Sequence, residues 1–137
     1  MSVNGLEALA DGIQRYEGFD PATRSFQNRN PGNLRLGVHA GLTSYPVDDK
    51  GYTIFPDFCT GYSALLRELR SKFTGQNEHN IGPASTLLSL MNVYAPAADK
   101  NQPNEYAEFL AKWLTIALKK PITVESELAN IWRVGDS

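Results

Sequence analysis

A chain of 137 residues with 42% apolar side chains and two tryptophans has the material for one buried core, which excludes intrinsic disorder. A formal charge of −2 and a pI of about 5.6 exclude a broadly basic nucleic-acid binder. The single cysteine, Cys59, excludes an internal disulfide, and His39 and His79 lack metal-ligand spacing, so neither metal nor cofactor is expected.

The first residues, Met-Ser-Val-Asn-Gly-Leu-Glu, do not form a basic region followed by an apolar run, and no apolar stretch approaches the ~18 residues that span a bilayer. Synthesis in the cytoplasm without a signal peptide, and no membrane insertion, are the expectations. Leu6, Leu9, Ile13 and Tyr16 recur at spacings of three and four and predict a helix from about Asn4 to Glu17, ended by Gly18. Residues 20–56 change character. Asn30-Pro31-Gly32-Asn33 has proline and glycine in the central places of a type II turn. Extended pieces are expected near Leu34–Leu36, Thr43–Val47 and Tyr52–Phe55, with Asp48-Asp49-Lys50-Gly51 as an exposed hairpin loop between the last two.

Helices then return. Asp57 is placed to cap one carrying Leu65, Leu66, Leu69 and Phe73. Gly75–Pro83 reads as a polar loop, and Leu87, Leu88, Met91 and Tyr94 mark a helix that Pro96 stops. Pro103 suits the first turn of a helix with Tyr106, Phe109, Leu110, Trp113 and Leu114. Thr123 is expected to cap a last short helix with Leu128, Ile131 and Trp132. Cys59, just inside a helix start and with no histidine near it, reads as a small buried residue. The layout predicts one α+β domain over residues 1–137, mainly helical with a small irregular β-hairpin lobe.

Glu17 is the residue that suggests chemistry. A carboxyl that protonates a leaving oxygen near neutral pH must have its anion disfavoured. A helix end does this through its partial negative charge, and apolar neighbours such as Tyr16 and Phe19 do it through desolvation. Arg24, Arg29 and Arg35 act the other way: between Pro21 and Val47 they are accompanied by no acidic residue. They are also suited to meet the carboxylates of an anionic glycan or its peptide stems.

Glu17-Gly18-Phe19, then Asn30-Pro31-Gly32-Asn33-Leu34-Arg35, then Gly51-Tyr52-Thr53-Ile54-Phe55-Pro56-Asp57-Phe58 with Gly61-Tyr62 and Ala64-Leu65, resemble a lysozyme-superfamily group encoded by phages and bacteria. Asn92-Val93-Tyr94-Ala95-Pro96, with Asn101, Glu105 and Tyr106 beyond it, is similar to a Tyr-Ala-Pro segment of the same group, so the likeness covers most of residues 10–115. It implies a lysozyme-like fold and cleavage of peptidoglycan glycan strands, as in glucosaminidases and lytic transglycosylases. It implies Glu17 as the catalytic acid (or acid then base), Asn30 and Asn33 holding the turn and facing the sugar, and Tyr52 and Tyr94 lining the cleft. An obvious second carboxylate is missing. Without one, Glu17 alone serves a lytic transglycosylase; with Asp48 or Asp49 as base at about 6.5–9.5 Å, inverting hydrolysis is open. Set against these are bland readings, in which Asn30–Asn33 is only a turn, and Tyr52 and Tyr94 only pack.

The expected partner is the glycan strand, with no nucleic acid, and the protein is expected to be a monomer or part of a virion. It would reach the wall virion-borne, through a membrane pore or by secretion. The alternatives are a non-catalytic lysozyme-like virion or wall-binding protein and, more remotely, a helical adaptor whose exposed aromatics bind a protein.

Overall fold

The computed structural model describes residues 4–18, 20–35, 45–74, 80–94 and 102–132, and these are mostly helical. The helices are α1 (Gly5–Glu17), α2 (Arg24–Gln27), α3 (Phe58–Thr74), α4 (Leu87–Tyr94), α5 (Pro103–Leu118) and α6 (Leu128–Ile131). The expected positions Phe19, Leu36, Thr43, Ala95, Pro96 and Asn101, and residues 75–79 of the polar loop, lie outside the described residues. No helix among those described is long and apolar enough to cross a membrane. The chain divides into two compact units, Met1–Gly12 with Leu69–Ser137, and Ile13–Glu68.

The first unit is helical. Asn4 opens α1, its Oδ1 accepting from the N–H groups of Leu6 at 2.8 Å and Glu7 at 3.2 Å, so two of the helix's four orphan donors are satisfied locally. Leu6 and Leu9 are buried, and the Trp113 indole of α5 donates to the Ala8 carbonyl at 2.9 Å. Pro103 stands at the start of α5 as expected, and Tyr106, Leu110 and Leu114 form its buried stripe.

Helix α4 is capped by Thr86 and by backbone acceptors from a segment far along the chain. Thr86 Oγ1 accepts from Ser89 N–H at 3.0 Å, while Leu87 and Leu88 N–H donate to the carbonyls of Ser126 and Val124. Across the same Thr86–Glu127 bridge, Leu128 and Ala129 of α6 donate to Ser85 and Pro83. Two helix starts thus satisfy one another's donors. This corrects the expectation for Thr123: its Oγ1 accepts from Glu125 N–H in a preceding turn, and α6 starts after Glu127 with no side-chain cap.

Helix α5 ends at Lys119, which adopts the left-handed conformation with φ 56°. An L-residue with a Cβ pays roughly 1 kcal/mol there relative to glycine. Lys119→Gly is therefore expected to stabilise the protein by about 0.5–1 kcal/mol, read as a higher urea midpoint with an unchanged slope.

The second unit carries the turns. Gly18 ends α1 at φ 73°, as its position predicts. Thr23 caps α2, an element the sequence reading does not contain, by accepting from Phe26 N–H at 3.3 Å. Only isolated antiparallel bridges mark the β-lobe among the described residues, at Arg35–Tyr52 and Val47–Thr53. Asp57 caps α3 through Thr60 N–H at 2.7 Å, and this bond holds its carboxyl below the usual range. Cys59, in the first turn of α3, is exposed rather than buried. One turn's position is fixed by contact: a Cβ on Gly61 would lie 2.1 Å from the Arg29 carbonyl oxygen, so α3 approaches the 28–33 segment through a glycine.

Candidate functional site around Glu17 and Asn33

Glu17 is the last residue of α1 and is half-buried. The Asn33 amide, arriving from the turn that follows α2, donates to Glu17 Oε1 at 3.0 Å. The fold therefore brings a helix-end carboxyl and a polar turn together across 16 residues, a contact the sequence reading does not contain.

The turn is built differently from expectation. Asn33 N–H donates to the Asn30 carbonyl at 3.0 Å, which closes it. A type II turn would set positive φ at Gly32, but the left-handed residue here is Asn33, at φ 51°. Asparagine tolerates this conformation better than most side chains, and a left-handed residue beside a carboxylate is the kind of local strain that gathers at functional sites. Arg29, at φ 52°, is a second such residue, anchored by its Nε donating to the Phe55 carbonyl at 2.7 Å.

Asn30 turns inward. It has no accessible surface, its Nδ2 donates to the carbonyls of Leu34 and Thr53 at 2.9 Å each, and its Oδ1 accepts from Leu34 N–H at 2.9 Å. It holds the turn, as one half of the expectation has it; the other half, facing a sugar, is incompatible with complete burial.

Asp48 departs furthest from its reading as an exposed loop residue. Its side chain is 12% exposed and its carboxylate accepts four bonds. Arg24 Nη1 and Asn28 Nδ2 reach Oδ2 at 2.5 and 2.8 Å; the N–H groups of Lys50 and Tyr52 reach Oδ1 at 2.9 and 3.0 Å. Burial pushes this carboxyl upward, but Arg24, Asn28 and the two N–H groups outweigh it and hold it well below the usual carboxylate range. Asp49 is exposed and shares Arg24 at 3.1 Å. The loop itself is a hairpin as expected, closed by Asp48 N–H to Tyr52 carbonyl at 2.8 Å and turned by Gly51 at φ 88°.

A stability effect follows. Because the folded state depresses the Asp48 pKa, the unfolded chain binds the proton first; the stabilisation is present above the unfolded value of about 3.9 and is lost as pH falls toward the folded value. Asp48→Asn is expected to lose about 2 kcal/mol at pH 7 and to show a smaller further loss than wild type between pH 5 and pH 3, measured by urea unfolding.

Tyr52 is half-buried, with Arg35 Cζ 4.5 Å and Arg24 Cζ 5.7 Å from its ring centroid, and its hydroxyl accepts from Arg35 Nη2 at 3.2 Å. Two of the three arginines of the positive stretch are thus engaged by Asp48, Asp49 and Tyr52. Tyr94 belongs to the helical unit, where its ring meets that of buried Tyr106 edge-on at 6.4 Å. Among the described residues, no group of three or more potential ligands could hold a metal ion.

The same unit as Glu17 also carries a groove of about 810 Å³, with Phe26, Phe58 and Pro21 as apolar wall and Gln14, Gln27 and Arg29 as polar lining. Gln14, which lines the groove, lies one turn before Glu17 on α1, while Glu17 itself is not among the lining residues. The sequence reading missed this surface and the Asp48 network. Thr23 preceding Arg-Ser-Phe was the one signal available for α2. No protein-family model, curated protein or solved structure matches this chain.

Proposed function

We propose that this protein is a lysozyme-like enzyme that cleaves the glycan strand of bacterial peptidoglycan, with Glu17 as general acid and then base. The observation that carries the reading is the hydrogen bond from Asn33 to a half-buried carboxyl at the end of α1. It gives the carboxyl a fixed direction, which proton transfer to a glycosidic oxygen requires. The groove that Gln14 lines offers rings for the apolar faces of sugars and amides for their hydroxyls.

The lytic transglycosylase route is preferred over hydrolysis. Asp48 is committed to four structural bonds and Asp49 to Arg24, so neither suits the role of a base that activates water. In the preferred route Glu17 protonates the leaving oxygen as the bond from C1 breaks. The ionised Glu17 then takes the proton of the sugar's own 6-hydroxyl as that oxygen bonds to C1, closing an anhydro ring and restoring the acid. No water is consumed and no second carboxylate is needed. The expected result is release of soluble glycan fragments from purified sacculi.

The committed Asp48 equally suits the second reading, a non-catalytic protein of lysozyme-like shape in a virion or at the wall. That reading expects binding to sacculi in a pull-down with no fragments released.

A further inference from the structure

Asn33 carries three observations that the reading of it as a sugar ligand does not use. Its Nδ2 donates to Glu17 Oε1 at 3.0 Å. Its backbone is held left-handed at φ 51°. Its Oδ1 is buried and has no hydrogen-bond partner among the described residues. A buried oxygen cannot be reached by a sugar donor unless protein atoms move aside, so the acceptor end of this amide is directed into the protein and not at a substrate.

We propose that Asn33 is a positioning residue for Glu17 and not a ligand of the sugar. This rests on the reading of Glu17 as the acid and deepens it. A carboxamide has a donor at one end and an acceptor at the other, and a half-turn about its terminal torsion exchanges them. The observed bond from Nδ2 to Glu17 Oε1 is the orientation that serves the ionised carboxylate. With Glu17 protonated, the half-turn brings the now unpartnered Oδ1 round to accept the Glu17 O–H. Each orientation gives one Glu17 hydrogen bond and no net proton change at Asn33. A residue that must act first as acid and then as base thereby keeps the same partner and the same direction in both forms. Lysine or arginine could serve only the anion, and aspartate only the acid. The left-handed backbone aims the short side chain back toward α1, and asparagine is among the few residues that combine that conformation with a two-ended side chain.

The test uses Asn33→Gly and Asn33→Asp. Glycine accepts φ 51° without strain, so the fold is expected to survive, checked by an unchanged urea midpoint within error or a raised one. On soluble glycan oligomers, Asn33→Gly is expected to lower kcat about 10–100-fold with KM changed less than threefold, and Asn33→Asp to lower kcat at least as far. A raised KM at unchanged kcat, or no change in either constant, overturns the proposal. A second readout needs no activity. In the 15N spectrum, one Asn33 side-chain amide proton of the wild type is expected well downfield of the other, and that displacement is expected to collapse in Glu17→Ala. If the protein proves inert on every glycan while the displacement still depends on Glu17, the enzymatic reading fails and the pairing stands. If the displacement is indifferent to Glu17, the positioning role is overturned whatever the activity.

Discussion

Glu17→Gln is expected to abolish glycan cleavage, lowering the rate of fragment release by at least about 100-fold, while the protein folds as before. The magnitude follows from what general acid catalysis contributes, roughly 100- to 10,000-fold. The intact fold follows from the geometry. Glutamine keeps the side chain's length, and its Oε1 can still accept the Asn33 N–H that now reaches Glu17 at 3.0 Å. What it lacks is a transferable proton. Unfolding in urea checks the fold, and assay of soluble products checks the activity. A well-folded Glu17→Gln protein with wild-type release would remove Glu17 from the chemistry.

Asn30→Ala is expected to give the largest loss of stability, about 3–5 kcal/mol, which for a chain of this size lowers the melting temperature by about 10 °C or more. The amide has no accessible surface and makes three bonds of 2.9 Å to the backbone of Leu34 and Thr53. Alanine leaves two carbonyls and one N–H without these partners in a space that nothing else fills. Those bonds also hold Leu34 against Thr53, whose N–H donates to the Leu34 carbonyl at 2.9 Å, so the segment that aims Asn33 at Glu17 loosens with them. Thermal unfolding reads the effect, and a change under about 1 kcal/mol would mean that the turn is held by something else. A surface-directed sugar ligand at this position would show the opposite pattern: activity lost, stability kept.

The local signals in this sequence were legible and the long-range ones were not. The α1 stripe at Leu6, Leu9 and Ile13, its end at Gly18, the Asp57 cap and Pro103 at the start of α5 are where patterning puts them, because each depends on neighbours within one or two turns; Tyr16, the fourth member of the expected stripe, is exposed. The hairpin at Asp48–Gly51 was legible for the same reason, since its glycine takes the left-handed place. Asp48 itself was misread because its partner Arg24 is 24 residues away, and nothing in a loop of two aspartates says which one will be covered. Separations of 24 and 17 residues likewise hid the fact that Arg24 and Arg35 serve Asp48 and Tyr52 rather than standing free for an anionic ligand.

At Thr123 and Gly32 a residue with a strong local preference was overruled by a tertiary contact. The start of α6 finds its acceptors at Ser85 and Pro83, beside the start of α4, so Thr123 is not needed there as a cap. The 30–33 turn sets its left-handed residue at Asn33, where the side chain reaches Glu17. Cys59 differs: cysteine is among the most often buried residue types, but its place in the first turn of α3 leaves it exposed. Of the candidate site, Glu17 at the end of α1 and a closed turn at 30–33 were legible as separate elements; the hydrogen bond that joins them was not. The division of labour within that turn, with Asn30 inward and Asn33 toward the carboxyl, was not, since two asparagines three apart look alike until their burial is known.

Mass spectrometry of the soluble products from purified peptidoglycan, with wild type and Glu17→Gln side by side, decides whether Glu17 cleaves the strand. Fragments ending in anhydro-sugars are expected from the wild type alone. Equal release by both proteins, or no fragment from either, would rule that role out.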